Sequence, residues 1–160
     1  MRILGIDPGL KATGFGIIDI NSLSQIKLVE AGAIEPKRSQ VLSDRLLKIH
    51  ECLGQIIKEF KPDCLVLEKL YSHYKHPATA SVLGHARGVI CLLSAQNKFP
   101  LIEYSVKRVR KSVVGNGNAT KEQTQKLVMH ILGIKVNQLS LDTSDALALA
   151  LGHAYMMRKL

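Results

Sequence analysis

The hydrophobic period of the chain first changes near residue 40, and that change bounds the fold. Before it, three apolar runs are separated by turn signals. Arg2–Asp7 is predicted as a buried strand and DPG as the turn after it. Residues 14–20 (GFGIIDI) are predicted as the returning strand, with NSLS as the next turn. Gln25–Ile34 is a third, longer strand, interrupted by the small residues Ala31, Gly32 and Ala33. Three strands so joined make an antiparallel meander.

Beyond the change, Leu42, Leu46, Ile49, Leu53, Ile56, Ile57 and Phe60 follow helical spacing. Ser39 or Ser43 is the expected cap of that helix, and Pro62 its stop. Residues 63–68 are a predicted strand, followed past Leu70 by the polar loop YSHYKHP. A helix is expected over 77–97, a short strand over 100–104 and a helix over 105–114. GNGN then breaks the chain. Thr120 with Gln123 forms a capping-box pattern for a helix ending near Leu132. The last helix, about 142–158, is apolar nearly all round (ALALALGHA) and should be buried. This order of elements predicts an α/β fold, a mixed five-stranded sheet with helices on both faces, within a single domain over 1–160.

Lys and Arg number 22 against 13 Asp and Glu, a net charge of +9. That balance favours a polyanionic partner, nucleic acid before an anionic membrane, although a basic protein need have neither. Cys52, Cys64 and Cys91 are widely spaced within apolar patterns, so buried free thiols in a reducing cytosol are expected, not a zinc site. No apolar run reaches membrane-spanning length, and the N-terminal one, broken at Asp7, is too short for a signal peptide.

Four acids stand at element ends. Asp7 (GIDPG) and Glu68 (LVLEK) close apolar runs, while Asp142 and Asp145 (LDTSDALALA) open the last helix, three residues apart on one face. Each has an ordinary explanation: turn chemistry for Asp7, a solvated strand end for Glu68, an acidic N-cap with an acidic third residue for the helix pair. As a set in a basic chain they point to metal-dependent cleavage of a phosphodiester. Two carboxylates about 4 Å apart repel by roughly 4 kcal/mol at an effective dielectric near 20. Paired divalent cations relieve that repulsion and clamp the attacking and leaving oxygens of an in-line displacement.

Lys107, Arg108, Arg110, Lys111 and Lys121 flank GNGN, where glycine lets a phosphate backbone approach. A solvated helix face would look the same. Tyr71, three residues past Glu68, is placed to stack on an unpaired base, or to pack on the surface. Lys75 in the same loop is a further candidate DNA contact. His73 and His76 form an HxxH without other ligands and are expected to be loop histidines. Arg87, in HARG, fits either a structural or a phosphate-facing role.

GIDPGLKATGFGII, LVLEKLY, LGHARGV, VVGNGNATKEQ and DTSDALALALGHA together resemble the RuvC family of Holliday-junction resolvases, in order and over nearly the whole chain. The resemblance implies an RNase H-like fold, two Mg²⁺ or Mn²⁺ ions per site, and paired symmetric nicks in four-way DNA junctions, leaving 5′-phosphate and 3′-hydroxyl ends. It also implies a cytoplasmic homodimer, with the small-residue helix segment 78–88 as candidate interface, and the RuvA–RuvB branch-migration complex as partner. The family's catalytic, metal-holding acids fall on Asp7, Glu68, Asp142 and Asp145, and its basic positions near the active site on Arg110 and Lys121. Lys69 stands where the family usually has glutamine, the loop after Tyr71 is about a residue longer, and no basic tail follows the last helix.

Two rivals remain at this level. A non-catalytic junction-binding protein would share the charge but has no use for four acids. GIDPG before a glycine-containing strand also resembles the phosphate loop of actin-like phosphotransferases, a fold that needs two such lobes.

Overall fold

In a computed structural model the described residues form five strands and five helices. The structure describes residues 1–22, 24–37, 39–69, 77–135 and 139–157. Strands β1 (Arg2–Asp7), β2 (Thr13–Ser22) and β3 (Gln25–Ile34) form the antiparallel meander. Strands β4 (Cys64–Glu68) and β5 (Leu101–Tyr104) add in parallel on the other side of β1, giving the order β3-β2-β1-β4-β5. This is the predicted mixed sheet.

Alternation along the strands assigns the two faces. Leu4, Ile6, Leu65 and Leu67 point to α1 (Leu42–Phe60) and α2 (Pro77–Asn97), where they meet Ile49, Leu53 and Ile57 of α1 and Ile90 of α2. Ile3, Cys64 and Val66 point the other way, to α3 (Val106–Val114), α4 (Lys121–Leu132) and α5 (Leu141–Met157). Full burial of one such aliphatic side chain stabilises by about 1.5–3 kcal/mol, so the α1 stripe alone anchors that helix. Helix α5 is the most deeply buried, with every residue from Thr143 to Ala154 inside except Asp145.

Local chemistry departs from expectation in several places. Val41, not Ser39 or Ser43, holds the N-cap position of α1, without a side-chain hydrogen bond. Ser43 lies inside the helix, which is secured instead by its buried stripe. At the far end Lys61 adopts a left-handed conformation (φ 47°) and stops the helix just before Pro62. Strand β2 extends through Asn21 and Ser22, because Ser22 pairs with Gln25 across the turn. The irregularity in β3 lies at Val29, between the pairs Ile17↔Glu30 and Ile18↔Leu28, while Ala31–Ala33 pair without interruption. Ser105 caps α3, and Thr120 with Gln123 forms the predicted capping box of α4. Of the cysteines only Cys64 is buried; Cys52 is half-buried and Cys91 lies exposed on the outer face of α2, away from the sheet.

Candidate active site

The sheet register brings the first two acids together. Ile6 pairs with Leu67 in parallel, so Asp7 and Glu68 occupy adjacent strand ends, with backbones about 5 Å apart. Both sit two residues past positions on the α5 side, Gly5 and Val66, and share that face.

Close backbone packing brings the other two. A Cβ on Gly5 would lie 2.0 Å from the Ala146 carbonyl oxygen, and one on Gly14 would lie 2.1 Å from that of Asp142. Helix α5 therefore rests its backbone directly on β1 and β2, which only glycine permits. Gly14 is also the register partner of Asp7. The first turn of α5, carrying Asp142 and Asp145, is thereby laid over the strand end that carries Asp7.

Asp142 is not the helix cap. Ser140 caps α5: its hydroxyl accepts from the Thr143 amide at 3.2 Å and its carbonyl from the Ser144 amide at 3.0 Å. The Asp142 carboxylate is left for other work, in the positive field of the helix amino end.

The electrostatics record the convergence. Burial pushes the Asp7 carboxyl up to about 7, with further upward pressure from Asp145, Glu68 and Asp142 and relief from Lys121. Glu68 is also raised, first by burial and then by Asp145, against the pull of Lys121, Arg110 and Arg87. Lys121 donates to Asp145 Oδ2 at 2.6 Å. Burial works against the Lys121 charge, but that bond and the charges of Asp145, Asp7 and Asp142 outweigh it and raise its pKa. Glu68, Asp145, Lys121, Arg110 and Thr124 line one open cleft of about 250 Å³.

The donor set suits a hard divalent cation. Four carboxylates offer only oxygen, which favours Mg²⁺ or Mn²⁺ over softer metals. Among the described residues no three Asp, Glu, His or Cys side chains close into a ready-made cage. Mg²⁺ is commonly held by one or two carboxylates with substrate phosphate and water, so an open cluster fits it.

The basic run divides. Arg110 joins Lys121 in the acidic cleft. Arg108 turns away, its guanidinium 5.1 Å from the Tyr104 ring centre, and with Lys111 lines a separate recess beside His153. Lys107 is exposed, its carbonyl against Gly117 of the GNGN turn. Tyr71, His73, Lys75 and His76 lie outside the described residues. Arg87, undecided from sequence, is buried and donates to the Glu68 carbonyl and to the Glu103 carboxylate. Glu103 carries no sequence signal of its own, since an exposed acid on an edge strand is unremarkable.

The sequence matches the family profile "Crossover junction endodeoxyribonuclease RuvC" over residues 3–153. The chain belongs to the RuvC family. A RuvC from Rhodopirellula baltica is 43% identical over 94% of this chain and 85% of its own length. One from Caldicellulosiruptor saccharolyticus is 41% identical over 96% and 92%. The fold superposes on Thermus thermophilus RuvC in complex with Holliday junction substrate, with TM-score 0.92, 26% identity and coverage of 99% of this chain and 96% of that one. Yeast mitochondrial Holliday junction resolvase Ydc2, at 15% identity and TM-score 0.71, shares the fold. The sheet is thus of the RNase H-like kind, and nucleases of the RuvC family are metal-dependent.

Proposed function

We propose that the chain resolves four-way DNA junctions by hydrolysing phosphodiester bonds at the cluster of Asp7, Glu68, Asp142 and Asp145. It is a Holliday-junction-resolving endonuclease by family, acting in recombination and repair. The catalytic roles of the four acids are our assignment. The observation that carries it is the convergence of the four acids: Asp7 and Glu68 on adjacent strand ends, with the first turn of α5, bearing Asp142 and Asp145, packed on Gly14 beside Asp7.

Asp7, the most central acid, would hold divalent ions, Mg²⁺ or Mn²⁺, together with Glu68, Asp142 and Asp145, two ions per site on the family resemblance. Bound metal would supply activation of water and stabilisation of the leaving 3′-oxygen, giving 5′-phosphate and 3′-hydroxyl ends. Lys121 holds Asp145 in place and adds a positive charge where phosphate enters. Arg110 faces the same cleft and contacts the backbone of the strand being cut. Lys107, Arg108 and Lys111 serve phosphates further along the duplex. Tyr71 stacks on an unpaired base, and Lys75 contacts DNA beside it.

The whole chain acts as one nuclease unit in the cytoplasm, and no described helix is long and apolar enough to cross a membrane. Two symmetric nicks require two sites related by a two-fold axis. The homodimer contact is assigned to α2, where Val82, His85, Gly88, Cys91 and Leu92 are exposed and Gly84 and Gly88 have open space above them. RuvA–RuvB is the proposed partner machine, on the family resemblance.

The deciding experiment offers a synthetic four-way junction and a linear duplex of the same sequence, with Mg²⁺ or with EDTA. Cleavage of the junction alone, dependent on metal and leaving ligatable ends, is expected. Binding without cleavage would turn the protein into a junction-binding module. Sedimentation at micromolar concentration should show a dimer.

A further inference from the structure

We propose that Arg87 is a positioning residue: it holds the Glu68 end of β4 in place of a sheet hydrogen bond that Pro8 makes impossible. The inference rests on the assignment of Glu68 to the active site.

The sheet register shows the gap. The amides of Leu65 and Lys69 bond to the β5 side, to Pro100 and Tyr104 carbonyls. Odd-numbered residues of β4 therefore serve β5, and even-numbered ones serve β1. With Gly5 opposite Val66, a continued parallel ladder would present the amide of residue 8 to the Glu68 carbonyl. Residue 8 is proline and has no N–H. The carbonyl of the catalytic strand end is left without its ladder donor at the place where β1 turns away through DPG.

Arg87 fills that position from across the chain. Its Nη1 donates to the Glu68 carbonyl and its Nη2 to Glu103 Oε1 on β5. The guanidinium side chain is only 10% exposed, and the whole residue is buried. One planar fork thus fastens β4, β5 and α2 together at the backbone of Glu68. Buried in this way, Arg87 has no free face for phosphate. Its neighbour Gly88 lies on the exposed α2 stripe, so the proposed dimer helix is tied to a catalytic strand through this side chain.

The test compares Arg87→Met and Arg87→Lys with Ile90→Ala, a core change on the same helix. All are assayed equally far below their own melting temperatures. Three quantities are read: single-turnover cleavage at saturating junction, Mn²⁺ affinity by electron paramagnetic resonance, and junction affinity in EDTA. Arg87→Met should lose about 10–100-fold in rate and in Mn²⁺ affinity, the range for partners that orient metal ligands. Its junction affinity in EDTA should stay at the wild-type value. Arg87→Lys, with charge but no fork, should fall between. Ile90→Ala should match wild type in Mn²⁺ affinity.

If Arg87→Met tracks Ile90→Ala in every readout, the role is packing alone and the proposal fails. If junction affinity falls in step with rate, Arg87 touches DNA and the proposal fails equally. A wild-type chain that binds Mn²⁺ but cuts no junction sinks the nuclease assignment, while the Mn²⁺ comparison still decides Arg87.

Discussion

Gly14 supports Asp142 backbone to backbone: a methyl group on Gly14 would lie 2.1 Å from the Asp142 carbonyl oxygen and 2.9 Å from the Thr143 amide nitrogen. Because Gly14 is also the register partner of Asp7, this contact sets the spacing between the strand acid and the helix acids.

Gly14→Ala should therefore damage both stability and activity. Forcing a methyl into this contact should cost about 1–3 kcal/mol and displace the first turn of α5. Gly54→Ala is the control. Gly54 sits inside α1, where an added Cβ meets only Leu93 Cδ2 at 3.8 Å, so alanine should stabilise by about 0.5–1 kcal/mol. Urea unfolding of the two variants should give opposite signs.

Asp7→Asn should abolish cleavage and keep junction binding. The amide is nearly isosteric but lacks the charge that would bridge two cations. Removing a negative charge from the DNA path should, if anything, tighten binding. Gel-shift and nicking assays run together check this, and equal loss of both would make Asp7 a structural residue.

Junction binding should weaken steeply with salt, by about 0.9 log units per log unit of salt for each phosphate neutralised on duplex DNA. Arg110→Ala combined with Lys121→Ala should flatten that slope by roughly 1.8 if each meets one phosphate. An unaltered slope would place the DNA path outside the cleft. Lys121→Ala also releases Asp145 from its 2.6 Å partner, so its rate should drop more than its affinity.

His153 should contribute a loss of stability as pH drops below about 6.5, the ordinary histidine value. His153 is buried, its Nδ1 lies 2.9 Å from the Tyr104 hydroxyl, and burial lowers its pKa. The unfolded chain then takes up a proton before the folded one does. The stability from neutral His153 is present above the unfolded value and is lost as pH falls toward the folded value. Protonation of Asp7, whose carboxyl is raised to about 7, acts in the opposite sense over the same range, so the His153 contribution is read as a difference. Between pH 7.5 and pH 5 the urea midpoint of the wild type should fall more, or rise less, than that of His153→Gln.

Much of this architecture was legible from period alone. Apolar runs between turn signals marked β1 to β3, and the stripe from Leu42 to Phe60 marked α1. The ends of those elements placed Asp7 and Glu68 at strand tips and Asp142 and Asp145 in one helical turn. Such patterns are local, because strand and helix geometry repeat within a few residues. They also report that a face is apolar without saying what covers it. Hence Cys91, apolar by pattern, is exposed, and Ser43, a cap by type, sits inside a helix.

Only the tertiary structure decided which residues meet. Lys121 and Asp145 are 24 positions apart, Arg87 and Glu68 are 19 apart, and nothing in their spacing pairs them. Those meetings follow from the strand order β3-β2-β1-β4-β5 and from the depth to which glycine lets α5 sink onto β1 and β2. The sequence by itself determined the elements and the acids at their ends. The packing of those elements gave Arg87 its partners and gathered the acids around Asp7, because charge interacts through distance in space and not along the chain.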